Sequence, residues 1–269
     1  MWEEETEDSF RRKLLWWVGG LVVAAAAGFG LWYEFLYHPA ENKPAAATQP
    51  PAPAPLPAPP AVANPIPAGG GSEALPALND SDPMVQQALT GVLGRPPIEA
   101  LLVPQNIVRH IVVTVDNLPR HKLAVELRPV KPTAGQTVVS TQGDLTVLSE
   151  DNFARYTTLV HAVQAADVKA LAALYQRVYP LFQQAYEDLG YPGKYFNDRL
   201  VEVIDHLLEA PEVPAPIQLQ QPRVFYTFAD PALEGRSAGQ KLLIRMGPAN
   251  ARIIKAKLRE FRAEIVARK

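Results

Sequence analysis

From Leu14 to Tyr33 the chain carries no charged side chain, and Arg11, Arg12 and Lys13 precede the run directly. At ~1.5 Å rise per residue such a run reaches ~30 Å as a helix, the thickness of a bilayer's hydrocarbon core. A helix also satisfies its own backbone hydrogen bonds in lipid. The pattern predicts one transmembrane helix over residues 14–36. Trp16, Trp17, Trp32 and Tyr33 sit near its two ends, where amphipathic rings favour the interface. The three cations lie on the amino-terminal side, so the positive-inside rule retains residues 1–13 and exports the rest. A cleaved signal peptide is the rival reading, but it would leave Phe29, Leu31, Trp32, Tyr33, Phe35 and Leu36 as an apolar stub. Gly20, Ala24 and Gly28 recur every four residues. Small residues at that spacing let two helices approach, which allows a homo-oligomer through the membrane helix; they are also simply common in such helices.

Residues 37–79 are mainly Pro and Ala, as in Gln49-Pro50-Pro51-Ala52-Pro53, and run through Gly69-Gly70-Gly71-Ser72. Proline biases the backbone toward extended polyproline II, and little bulky apolar surface offsets the entropy of ordering. This reads as a disordered linker with a reach on the order of 100 Å.

Residues 80–269 are long enough for one hydrophobic core. The net charge of −2 gives no reason to expect a nucleic-acid partner. Cysteine is absent, which excludes disulfides, a thiol nucleophile and thiolate metal sites. Helical signals dominate. Ser81 or Asp82 caps a first helix carrying Val85, Leu89 and Val92. Pro104 opens another with Ile107, Ile111, Val112 and Val115, ending near Asn117. Thr137 to Leu148 reads as a small hairpin turning at Gln142-Gly143-Asp144. Phe153, Tyr156, Val160 and Val163 line one helical face. A further helix follows Asp167; Pro180 should bend or break it, and Gly190 should end it. Leu200, Val203, Ile204, Leu207 and Leu208 form the stripe of the next. Val224 to Phe228 is a strand or an apolar segment laid on the bundle, and Pro248 opens the last helix. The fold class is thus mainly α: one transmembrane helix, a disordered Pro/Ala linker, and a compact domain of about six helices with a small β-hairpin.

Several segments together resemble a known family. They are Val115-Asp116-Asn117-Leu118-Pro119, Asn152-Phe153-Ala154-Arg155-Tyr156, and Tyr179-Pro180-Leu181-Phe182-Gln183-Gln184-Ala185-Tyr186. They continue with Leu189-Gly190-Tyr191-Pro192, Tyr195-Phe196-Asn197-Asp198-Arg199, Ile204-Asp205-His206-Leu207-Leu208 and Arg245-Met246-Gly247-Pro248. In order and spacing they are similar to the uncharacterised proteobacterial family known as domain of unknown function 3014. The resemblance implies a membrane-anchored envelope protein with a Pro-rich spacer; together with the cations before the apolar run, the expectation is a bacterial inner-membrane protein with a cytoplasmic amino terminus and a periplasmic main domain. It implies no activity, ligand or partner.

The residues offer candidates for binding. Tyr195, Asn197, Asp198 and Arg199 combine turn-forming side chains with a guanidinium that can fork onto a carboxylate. Glu202 and His206 lie four apart and can meet on one helical face. Tyr175, Tyr179, Tyr186 and Tyr191 add rings that either line a groove or edge a core. The same charges also suit a solvated, ion-paired face. No metal-ligand spacing, nucleophile elbow or phosphate loop is present, so no catalytic residue, metal or cofactor is assigned. The expectation is a membrane-tethered interaction or scaffolding module, with the lipid bilayer and an envelope protein or cell-wall component as partners. An envelope hydrolase using carboxylates near Asp198 and Glu202, and a glycan-binding module using exposed tyrosines, are the alternatives.

Overall fold

The structure is a computed structural model that describes residues 61–66 and 74–266. Helix α1 (Asp82–Leu93) has proline in its first turn and ends at Gly94, which sits at φ 85° and returns its N–H to Thr90 O. Two prolines then begin α2 (Arg95–Leu101). The Asp82 carboxylate caps the next helix instead of its own. It accepts from the N–H groups of Asn106 and Ile107, at 2.6 and 2.8 Å, where α3 (Ile107–Asn117) starts. The apolar stripe of α3 decides helix over strand at Ile111–Val115, because its β-branched side chains are buried by neighbours.

After the hairpin β1 (Val139–Gln142) and β2 (Leu145–Leu148) come the short α4 (Asp151–Ala154) and α5 (Thr157–Ala165). Gly143, at φ 61°, makes the expected turn between the strands. Asp167 caps α6 (Val168–Asp188), accepting from Lys169 and Ala170 N–H at 2.9 and 3.1 Å. Pro180 does not break this helix. The bond it forfeits is outweighed by the buried Val178, Leu181 and Phe182 around it. Helix α7 (Phe196–Leu208) follows a tight turn. Strands β3 (Leu219–Gln220) and β4 (Thr227–Phe228) make a second small antiparallel sheet. The chain closes with α8 (Pro231–Glu234), α9 (Ala238–Arg245) and α10 (Pro248–Ile265).

Helices α6 and α7 each lie against both α3 and α10. Their shared interior includes Ile107, Val112, Phe182, Phe196, Ile204 and Ile265, with Phe182 and Phe196 stacked at 5.5 Å. This interior sets the first turn of α7 and the last turn of α6 side by side, which forms the site described below.

Three expectations are corrected. Ten α-helices are present among the described residues, because short capped turns such as α4 and α8 lack the periodicity a sequence reader relies on. Only Thr227 and Phe228 of the apolar stretch Val224–Phe228 form strand; Val224 and Phe225 stand 77% and 81% exposed in the loop. The fold class is mainly α with two small sheets, and among the described residues no helix is long and apolar enough to cross a membrane. The segment expected to do so, residues 14–36, lies outside the described residues, as do Arg11, Arg12, Lys13, Trp16, Trp17, Trp32, Tyr33, Gly20, Ala24 and Gly28.

Candidate functional site

Helix α6 ends by backbone geometry that places one side chain. Gly190, at φ 109°, lets its own N–H reach Glu187 O and the Tyr191 N–H reach Tyr186 O. This is the Schellman closure, which brings the residue after the glycine onto the last turn. Tyr191 accordingly stacks on Tyr186, with centroids 4.6 Å apart and planes at 20°. Gln183 then pins the following turn. Its Nε2 donates to Lys194 O at 2.7 Å, and its Oε1 accepts from the Phe196 N–H at 2.9 Å. Tyr179 fixes that amide by donating to the same Oε1 at 2.9 Å.

The charged centre is Asp116 on α3, buried at 2% exposure. Arg199 Nε donates to its Oδ1 at 3.1 Å, and Arg199 Nη2 donates to its main-chain carbonyl at 3.0 Å. Arg120 Nη2 reaches Oδ2 at 2.5 Å, and the Tyr191 hydroxyl donates there at 3.2 Å. Glu202 takes the other Arg199 arm at 2.9 Å. Burial opposes the Arg199 charge, yet the hydrogen bond and charge of Glu202 and the charge of Asp116 raise its pKa above the usual value. Burial, then the Asp116 charge, pushes the Tyr186 hydroxyl up to about 12. Tyr186 is therefore a neutral wall at physiological pH.

Beside this centre, Asn197 and Asp198 hold a distant piece of chain. Asp198 Oδ2 accepts from the Ala63 N–H at 3.1 Å; its Oδ1 accepts from the Asn64 N–H at 2.6 Å and Asn64 Nδ2 at 3.0 Å. Asn197 Nδ2 donates to Asn64 O at 2.9 Å and to Ile265 O at 3.1 Å, and its Oδ1 accepts from the Tyr175 hydroxyl at 3.1 Å. Residues that composition assigned to a linker thus lie against the domain.

Beside these groups lies a groove of about 500 Å³, walled by Ala61, Asp116, Tyr186, Tyr191, Lys194, Tyr195, Asp198, Arg199 and Glu202. A family model described as "Protein of unknown function (DUF3014)" matches residues 107–262, more than half of the 269-residue chain. The chain belongs to the DUF3014 family. Searches of curated proteins and of solved structures gave no match. The DUF3014 match begins at the first residue of α3 and ends in α10, so it contains every groove residue except Ala61.

Of the residues singled out from the DUF3014 sequence, Tyr195, Asp198, Arg199 and Glu202 share the groove. Asn197 lies behind them, buried at 1% exposure. His206 is elsewhere: its Nε2 is 2.8 Å from Ser237 Oγ, which caps α9 by accepting from the Gln240 N–H at 3.2 Å. The four-residue spacing put Glu202 and His206 on one face, but Arg199 turns Glu202 to the groove and Ser237 holds the imidazole. Tyr186 and Tyr191, two of the rings that could line a groove or edge a core, line this groove, whereas sequence reasoning passed over Asp116, Lys194 and Gln183 as site residues. The available signal was Asp116 itself, a lone acid ending the apolar run Ile111–Val115. Tyr175 belongs to the core, where burial first, and the neighbouring Tyr179 second, raise its pKa. Among the described residues, no group of three His, Asp or Glu side chains is placed to hold a metal ion.

A second cleft, of about 330 Å³, opens between α1, α2, α5, α6 and α10, walled by apolar side chains such as Leu93, Leu101, Leu159 and Phe261. Its cation, Lys257, donates to Ala166 O at 3.3 Å and to Glu260 at 3.2 Å.

Proposed function

We propose that this chain is a non-enzymatic interaction module that takes a short peptide segment of an envelope partner on the face between Tyr191 and Glu202. One observation carries the reading: Asn197 and Asp198 engage the main-chain N–H and C=O groups of Ala63 and Asn64. Side chains aimed at main-chain groups recognise peptide backbone, and rigid tyrosine rings beside them supply contact area at small entropic cost. The groove carboxylates take part in structural bonds: Asp116 is held by two arginines, Glu202 Oε1 by one, and Asp198 by backbone amides. The periplasm, the compartment expected from the sequence, is where we propose the partner is met.

The test is site-specific photocrosslinking in living cells, with the probe at Lys194 on the groove and, as control, at Lys257 on the apolar cleft. A discrete protein adduct from position 194 that position 257 does not give supports the proposal. No adduct from 194, or the same adducts from both positions, removes it.

A further inference from the structure

The amide of Asn197 is preset before any ligand arrives. Tyr175 fixes its oxygen and the end of α10 takes one of its N–H bonds, at 3.1 Å each. With the segment in place the side chain is buried, and its second N–H finds its acceptor outside the helical bundle. Asn64 O is that acceptor, at 2.9 Å. Asn64 is therefore read three times: through its carbonyl by Asn197, and through its main-chain and side-chain N–H groups by Asp198. The next residue, Pro65, has no N–H to satisfy and a fixed φ, and it follows the bend at Ala63 and Asn64 that turns both N–H groups to Asp198. Ile66 then packs against the hydrophobic core. Val62 and Ala63 face solvent, and only the Ala63 main chain is held.

We propose that residues 62–66 are a built-in ligand of the Asn197–Asp198 turn at the edge of the groove, and that this turn is specific for bent segments of the pattern Asn-Pro-aliphatic. The proposal rests on the peptide-binding reading above and names its ligand class. The specificity follows from chemistry. Aspartate in place of Asn64 sets a carboxylate against Asp198, and alanine loses the bond to a charged acceptor. A polar residue in place of Ile66 loses the apolar contact with the core. The tethered segment has a high effective concentration, so a partner segment engages by displacing it.

The experiment uses the full chain, native and with Asn64→Ala and Ile66→Ser together, and a blocked peptide Val-Ala-Asn-Pro-Ile. Binding is read by NMR from the Asn197 and Asp198 amides, with circular dichroism confirming that both chains are folded. The peptide should bind the doubly substituted chain and bind the native chain at least about tenfold more weakly. A peptide with Ala for Asn should lose about tenfold or more on the substituted chain. Equal binding of the two peptides, or no binding to the substituted chain, overturns the proposal. A native dimer that becomes monomeric on the double substitution overturns its intramolecular part. A Lys194 adduct that persists while the peptides fail to discriminate separates failure of this inference from failure of the proposed function.

Discussion

Arg199 holds Asp116 twice, through the carboxylate at 3.1 Å and through the main-chain carbonyl at 3.0 Å, and so locks α7 to the end of α3. The Asp116 side chain is 3% exposed and that of Arg199 19%. Breaking such a pair leaves a charge with too little water around it, which outweighs the modest net gain of forming it. Asp116→Ala should cost about 3 kcal/mol in urea denaturation. The double variant Asp116→Ala/Arg199→Ala should cost less than the two single losses added, because the orphaned charge is gone. Simple additivity would show the pair to be uncoupled.

Neighbouring residues of the same turn should respond differently. Asn197→Ala orphans the Tyr175 hydroxyl and the Ile265 carbonyl inside the core and should cost about 2–3 kcal/mol. Asp198→Ala releases only residues 63 and 64 and should cost about 1 kcal/mol, while opening that segment to limited proteolysis. Unchanged protease resistance in Asp198→Ala would show that its carboxylate does not hold the segment.

Two glycines with positive φ separate backbone strain from collision. At Gly190, φ 109°, an added Cβ meets nothing within 4 Å, so Gly190→Ala should cost about 1–2 kcal/mol from backbone strain alone. At Gly247, φ 86°, the Cβ would fall 2.6 Å from the Phe153 ring. Gly247→Ala should therefore be the more destabilising in thermal denaturation, by about 1–3 kcal/mol.

Glu234 should contribute to acid sensitivity. Burial works to raise its pKa, but the Lys241 hydrogen bond, the Phe228 N–H and the charges of Lys241 and Arg245 outweigh that and lower it below 4.5. A folded-state pKa below the unfolded one gives stability that is present above the unfolded value and lost as pH falls through the folded value. Glu234→Gln should destabilise at pH 7, and the difference from the native chain should shrink as pH drops from 4.5 toward the folded value. A difference that stays constant down to pH 2 would reject the assignment.

Two phenylalanines three residues apart should behave oppositely. Phe228 is 0% exposed and lies under Arg245, whose guanidinium carbon is 5.0 Å from the ring centroid. Phe228→Ala should cost about 3–5 kcal/mol. Phe225 is 81% exposed, and Phe225→Ser should fall within about 0.5 kcal/mol of the native chain in the same denaturation experiment.

The elements legible beforehand are those coded by near neighbours. Asp167 caps α6 because its carboxylate needs only the amides two and three residues on. Gly190 stops the same helix through bonds that span five residues at most. Gly143 turns the hairpin, and Pro248 opens α10. Pro180 does not break the helix, because its local cost is real but the burial that outweighs it comes from other helices.

The cluster Tyr195–Arg199 stood out in the chain because its residue types are those of turns and forks. Its partners did not, since they come from Asp116 and from Ala63–Asn64, 134 positions away in the case of Asn64 and Asp198. Periodicity and capping act within one or two turns, so helices and the hairpin can be read from order alone. Which acid meets which arginine, which histidine turns to a serine, and which stretch of backbone lies across a groove depend on how α3, α6, α7 and α10 pack, and packing follows from shape summed over the whole interior.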